Sequence, residues 1–236
     1  MTAPGKRKYA YRDRPLARAL EPLAYLTPFL AAIAVFTLYP VINVVLMSFK
    51  EGYQMLTGRF TQVGMENYAY VLRDRYFINA LQNTAIYVAV VVPLSTILSI
   101  LIANLLNRKV KGMALFQTAY FMPMVTAVTA AGLAWKFMFS RDFGVINQIL
   151  SWFGAGKINW LQAPEWSLWA LIIYGVWSIL PFTIILMLSG LQNIDETHYI
   201  AARVDGAKSA RIFFRITVPM LAPTIGLVLT INTIST

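Results

Sequence analysis

The residues best suited to specific work lie in one stretch, Asp195-Glu196-Thr197-His198-Tyr199-Ile200-Ala201-Ala202-Arg203-Val204-Asp205-Gly206-Ala207-Lys208-Ser209-Ala210-Arg211-Ile212-Phe213-Phe214-Arg215-Ile216-Thr217-Val218-Pro219. Asp195 is placed to cap a helix start, where a carboxylate accepts orphan backbone N–H groups and meets the positive end of the helix dipole. Gly206 suits the left-handed residue that ends a helix. A second helix follows. On it Ala207, Ala210, Phe213 or Phe214, and Thr217 share one face, Lys208, Arg211 and Arg215 follow the other, and Pro219 closes the unit. The pattern predicts helix, glycine turn, helix. It reads either as a rigid lever that transmits displacement or as an amphipathic element resting on anionic lipid, its Lys and Arg reaching the headgroups.

Covalent chemistry has little material here. His198 is the only histidine, with no serine arranged beside it for activation, and the chain has no cysteine. Triads, thiolate nucleophiles and His or Cys metal sites are thereby disfavoured. Gly206-Ala207-Lys208-Ser209 falls short of a phosphate loop, which needs Gly directly before Lys and another Gly five positions earlier, where Ala202 sits. No metal or nucleotide is expected on this chain.

The surroundings explain what such a lever could be attached to. Of 236 residues 58% are apolar and only 13% charged, about half the usual charged share, too little for a water-facing surface. The net charge of +10 does not indicate nucleic acid, because the basic residues fall between long apolar runs. Five stretches carry no charge: Pro22 to Phe49, Tyr76 to Asn107, Gly112 to Trp135, Trp166 to Ile194, and Ile216 to Thr236. Each reaches the ~20 helical residues that cross a ~30 Å hydrocarbon core. Their prolines, Pro40, Pro93, Pro123, Pro181 and Pro223, are tolerable as kinks within a bundle, Pro181 foremost. The first run contains Ala32-Ile33-Ala34, of the small-x-small form of a cleavage site, but it outlasts an h-region of ~7 to 15 residues and reads as a retained span.

Lys and Arg set the orientation. The N-terminal tail, the 107–112 connection and the 192–215 connection together hold 13; the other two connections hold 7. The richer side is cytoplasmic, which predicts the N-terminus inside. The fifth run stops without a basic flank or interfacial aromatic, so the chain is expected to continue beyond Thr236 in its native form. Residues 50–75 mix Gly52, Gly58 and Gly64 with Tyr53, Phe60, Tyr68 and Tyr70, an ordered boundary loop; Phe143 to Trp166 reads as a short interfacial helix and turn, serving as a lid on the bundle or as a docking surface. None of the five runs holds an Asp or Glu, which disfavours an ion-coupled carrier with an intramembrane carboxylate.

Tyr199 to Ala207, followed by Phe213 or Phe214, Ile216, Pro219, Leu221 and Pro223, resembles the cytoplasmic "EAA" loop of binding-protein-dependent ABC importer permeases. Val63-Gly64-Met65-Glu66-Asn67-Tyr68, Asn83-Thr84, Asn159-Trp160-Leu161 and Gly190-Leu191-Gln192-Asn193-Ile194 resemble its sugar-type branch. The resemblance implies an all-α, polytopic transmembrane helix bundle of the MetI-like type: a basic tail over 1–21, a permease domain over 22–236, and a coupling loop over 195–218. It also implies a prokaryotic inner-membrane location, a second permease subunit, ATPase subunits that bind ATP and magnesium, and an extracytoplasmic solute-binding protein, with ATP hydrolysis in the partner chain and no enzymatic role or cofactor in this one. A sixth span is expected beyond Thr236. Glu196, Tyr199, Ile200, Ala201, Ala202, Asp205, Gly206 and Ala207 match the ATPase-coupling segment. The glutamate that names the loop aligns with Ile200, so Glu196, one turn earlier, is a substitute carboxylate, or Ile200 packs into the ATPase cleft. For a sugar or related polyol, a lining of aromatic faces with amide and hydroxyl partners is needed; Asn83, Gln117, Tyr120, Tyr174, Trp177 and Ser178 are the candidates. The rival reading is a secondary transporter or channel whose inner loop is a lipid-surface helix; a membrane-embedded enzyme acting on lipid lacks paired carboxylates or a His cluster.

Overall fold

The computed structural model describes residues 15–107 and 113–236; of residues 15–21, 23, 24, 113–117 and 119 it describes the backbone only. The basic residues of the tail up to Arg14, together with Arg108, Lys109 and Lys111, lie outside the described residues, and so do the side chains of Arg18 and Gln117.

The chain divides into two units, Met1–Ile78 and Asn79–Thr236. In the first, α1 (Pro15–Ile33) and α2 (Tyr39–Ser48) join through a π-helical turn, Ala34–Leu38, into one apolar rod. The turn sits directly before Pro40, and Tyr39 N–H reaches back five residues to the Ala34 carbonyl. Widening the turn relieves the clash between a proline ring and the carbonyl four residues earlier. The rod ends in a two-residue antiparallel ladder, β1 (Lys50–Glu51) on β2 (Gln62–Val63), followed by α3 (Glu66–Arg73). Asn67 Nδ2 donates to the carbonyls of Ser48 and Lys50 at 3.0 and 3.1 Å, and the Tyr68 and Ser48 hydroxyls are 2.6 Å apart. The Val63 to Tyr68 motif is thus a clasp on the end of the first apolar rod.

The second unit is built on α4 (Arg75–Leu106) and α8 (Pro164–Gln192). Val91, Ile172 and Val176 meet between them. At the other end Ile100, Ala103, Met187, Leu191, Leu221 and Val228 join α4 and α8 to α12 (Ala222–Ser235). Lipid tails are as apolar as these side chains, so close backbone approach and polar pairing must supply the cohesion. Gly190 provides the first: a Cβ there would lie within 3.0 Å of Leu221 and Thr224. Asn232 provides the second, its Nδ2 lying 3.5 Å from Ser95 Oγ and 3.4 Å from Thr183 Oγ1, with all three residues buried.

α8 continues past Pro181 without a break, and the hydroxyl of Thr183 donates to the Ile179 carbonyl there. The third apolar run does break. It forms α5 (Met113–Val125), which packs along α8, and α6 (Val128–Met138), parted by an extended Ala127 four residues after Pro123. Among the described residues, three helices are long and apolar enough to cross a membrane, or four if the pair Ser209–Met220 and Ala222–Ser235, bent by 65°, is one span. The expected fifth crossing would have to come from α5 and α6 together, since neither reaches spanning length alone.

Candidate functional site

α9 (Glu196–Val204) begins as the sequence requires: Asp195 accepts a hydrogen bond from Thr197 N–H at 2.9 Å. That backbone donor, with the Thr197 side chain and His198 beside it, holds the Asp195 carboxyl below its ordinary range. The helix ends at Gly206, whose φ is +72°. Gly206 N–H donates to the Arg203 carbonyl and Ala207 N–H to that of Ala202, the paired bonds of a left-handed glycine cap. α10 (Ser209–Ile212), a π-helical turn (Phe213–Thr217) and α11 (Val218–Met220) then return the chain to α12. This π turn repeats the device at Pro40, since Val218 N–H reaches the Phe213 carbonyl directly before Pro219.

Two contacts make this segment rigid. Thr217, 2% exposed, donates from Oγ1 to the Tyr199 hydroxyl at 3.4 Å, tying the second helix to the first. Phe213 packs against the buried cluster of α4, α8 and α12, whereas Phe214 is exposed. The structure therefore chooses Phe213 as the inward ring, and it joins the segment to the bundle core. Ala202 is buried and Tyr199 and Ala207 are half-buried; Glu196, Ala201, Asp205 and Gly206 are exposed. Ile200 and Val204, one turn apart, are 50% and 82% exposed, an apolar strip of α9. Glu196, Tyr199 and Arg203 lie instead along a groove of about 730 Å³ whose other wall includes Asn104, Asn107 and Gln192. Glu196 thus lines this groove, and Ile200, one turn on along the same side of α9, lies at its border.

Where the last turn of α6 meets the middle of α8, the rings of Trp135, Tyr174 and Trp177 come together, with centroids 5.4 to 6.0 Å apart. Phe139 and Trp160 extend the series to Trp166. Of the expected sugar-path residues whose side chains are described, which excludes Gln117, Tyr174 and Trp177 are brought together. Tyr120 stands beside Phe121 at 4.7 Å, and Asn83 and Ser178 are exposed on α4 and α8. Trp135 is an addition that closes the third run and lies one helical turn before Phe139; that i, i+4 aromatic pair was its only signal. Trp135, Phe139 and Tyr174 also bound a second pocket of about 380 Å³, together with Gly132, Lys136 and Leu161. A Cβ at Gly132 would meet nothing within 4 Å.

The loop beside these rings is held by one amide. Asn147, on α7 (Val145–Trp152) and 5% exposed, donates to the carbonyls of Arg141 and Ile158 at 3.0 and 2.8 Å and accepts from Ile158 N–H and Trp160 Nε1 at 3.2 and 3.0 Å. That hub gives Trp160 of Asn159-Trp160-Leu161 a structural role.

Residues 95–236 match the family model described as "Binding-protein-dependent transport system inner membrane component". The chain is 35% identical over 220 residues to the arabinooligosaccharides transport system permease protein AraP of Halalkalibacterium halodurans, covering 92% of this chain and 68% of that one. It is 36% identical over 215 residues to the lactose transport system permease protein LacF of Rhizobium radiobacter, covering 90% and 71%. The fold superposes with a TM-score of 0.79 at 25% identity on a chain of the bacterial alginate ABC transporter, solved in complex with an alginate pentasaccharide-bound periplasmic protein, over 95% of this chain and 74% of that one. The glycine-turned segment, the clasp and the helix order thus sit in a known setting, and the chain belongs to the binding-protein-dependent inner-membrane permeases of ABC importers.

Proposed function

We propose that the chain carries a sugar or related polyol across a prokaryotic inner membrane by alternating access, with the segment 195–218 as its coupling loop to an ATPase subunit. The observation that carries this reading is the rigid attachment of that segment: a glycine-capped helix is tied through Tyr199 and Thr217 to a second helix whose Phe213 enters the packing of α4, α8 and α12. A push on α9 is therefore a push on three apolar helices. A helix resting on lipid would need no such anchorage.

The ATPase pair supplies the energy from the cytoplasmic side, where the basic tail also lies. Ile200 and Val204 offer it an apolar strip, so Ile200 packs where the family loop places a carboxylate, and Glu196, at the first turn, supports the contact from beside it. Asp205, Gly206 and Ala207 set the angle between the two helices. A second permease subunit completes the pathway, and a solute-binding protein delivers substrate from the other side. The relatives' names specify arabinooligosaccharides and lactose, and the rings of Trp135, Tyr174 and Trp177 provide faces on which sugar C–H surfaces stack. The mid-helix glycine at 132 costs about 1 kcal/mol relative to alanine, and the open space above it leaves room for a ligand beside Trp135. Family membership disfavours the secondary-transporter reading.

The test is reconstitution of the chain with its partner permease, ATPase and solute-binding protein in proteoliposomes, presenting lactose, maltose and an arabino-oligosaccharide. ATP-dependent uptake of one of these, lowered by Trp135→Ala and retained by Trp135→Phe, is expected. Uptake driven by an ion gradient without ATPase would overturn the reading.

A further inference from the structure

The groove between α9 and the end of α4 is chemically unlike the apolar surfaces around it. Its walls are about half polar and half apolar. The amides of Asn104, Asn107 and Gln192 face it, and none of them has a side-chain hydrogen bond among the described residues. Glu196 and Arg203 lie on the same side of α9, two turns or ~10 Å apart, and form no ion pair among the described residues. Phe213 gives an aromatic surface and Ser209 a hydroxyl. Amides, a carboxylate, a guanidinium and a hydroxyl around an aromatic ring are the partners a saccharide requires, because its hydroxyls demand paired donors and acceptors while its C–H faces stack. A volume of about 730 Å³ accommodates a short oligosaccharide.

The groove is also placed to control the lever. One wall, Asn104 and Asn107, belongs to α4; the other belongs to α9 and to the helix that starts at Ser209. Round α9, Val204 is turned ~80° from Glu196 and ~100° from Arg203, and Ile200 ~40° and ~60°, so the ATPase strip borders the groove and its Val204 edge faces clear of it. A molecule bridging the walls would fix the angle between α9 and α4. We infer that this groove is an internal product site: a saccharide accumulated in the cytoplasm binds it, clamps the coupling segment against α4 and slows further import. The inference rests on the sugar-importer reading.

Proteoliposomes holding the complete importer with ATP inside test it, with lactose, maltose or an arabino-oligosaccharide, whichever the importer takes up, sealed in the lumen as the probe. Luminal sugar is expected to slow initial uptake of labelled sugar added outside. Asn104→Ala and Asn107→Ala, both outside the coupling segment, should leave uptake into sugar-free vesicles unchanged, while each raises the luminal concentration needed for half-inhibition about fivefold, as one lost hydrogen bond implies. If Asn104→Ala lowers assembly, Asn107→Ala, exposed just past the end of α4, gives the same reading alone. Equal inhibition of the wild type and both variants would place the brake elsewhere and overturn the groove. Unslowed uptake into sugar-filled vesicles would overturn it too, while leaving the importer reading standing. Absence of any ATP-dependent sugar uptake would remove the importer reading and this inference with it.

Discussion

Ala207 N–H donates to the Ala202 carbonyl at 2.9 Å, spanning Gly206 and fixing the corner between the two helices of the coupling segment. The bond forms because Gly206 holds φ +72°, and a Cβ added there would meet open space. Substitution therefore acts through backbone strain alone. Gly206→Val is expected to cost on the order of 1 to 2 kcal/mol in that conformation and to lower uptake per ATP hydrolysed, with membrane insertion intact. Uptake and hydrolysis measured together on equal amounts of inserted complex check this; normal coupling in the valine variant would remove the lever geometry.

The exposed pair Ile200 and Val204 leads to a second expectation. A carboxylate at position 200 that has no cation opposite must be desolvated on docking, whereas burying isoleucine contributes ~1.5 to 3 kcal/mol. Ile200→Asp should accordingly weaken ATPase co-purification by tenfold or more, and Glu196→Ala should weaken it less. Equal retention of the ATPase by the wild type and Ile200→Asp would show that the strip is not the contact.

Asn147 makes a different kind of claim, about stability. Its amide satisfies the Arg141 and Ile158 carbonyls and the Trp160 indole at once. Asn147→Ala leaves those groups without it, at ~1 to 3 kcal/mol for each that stays buried and unpaired. Protease cleavage between residues 141 and 163 should speed up, and a shift in tryptophan emission should accompany it. An Asn147→Ala protein as protected as the wild type would contradict the hub.

The clasp has a pH dependence of known sign. Glu51 is 6% exposed; its Oε1 accepts the Glu66 N–H at 2.8 Å and its Oε2 the Gln62 amide at 2.5 Å. The Glu66 backbone donor first, and the Gln62 amide second, hold its carboxyl below the ordinary value of 4.5. A lowered carboxylate stabilises the folded loop above its unfolded value and loses that contribution as pH falls through the folded one. Hydrogen exchange over residues 50–67 should be flat from pH 8 to about pH 5, after correction for intrinsic rates, and should accelerate in more acid solution. Glu51→Gln should remove the acid limb and leave the loop looser at neutral pH. An acid limb that persists in Glu51→Gln would assign it to another group.

Much of this was legible in the residues. Long uncharged runs require helices in lipid, because hydrocarbon satisfies no backbone group. Asp195 and Gly206 could be placed as caps because capping depends on a side-chain oxygen, or on the absence of a Cβ, within a few residues of chain. The break at Ala127, the passage of α8 through Pro181 and the π turns before Pro40 and Pro219 were not legible, since each is one of several ways a helix accommodates a proline and neighbouring packing decides among them. Local periodicity left Phe213 and Phe214 equivalent; only the cluster around Leu191 and Leu221 selects Phe213. Trp135 joins Tyr174 and Trp177 across about 40 residues, and Asn232 meets Ser95 across 137. Sequence spacing carries the energy of one helix, and those meetings belong to the way several helices share a boundary.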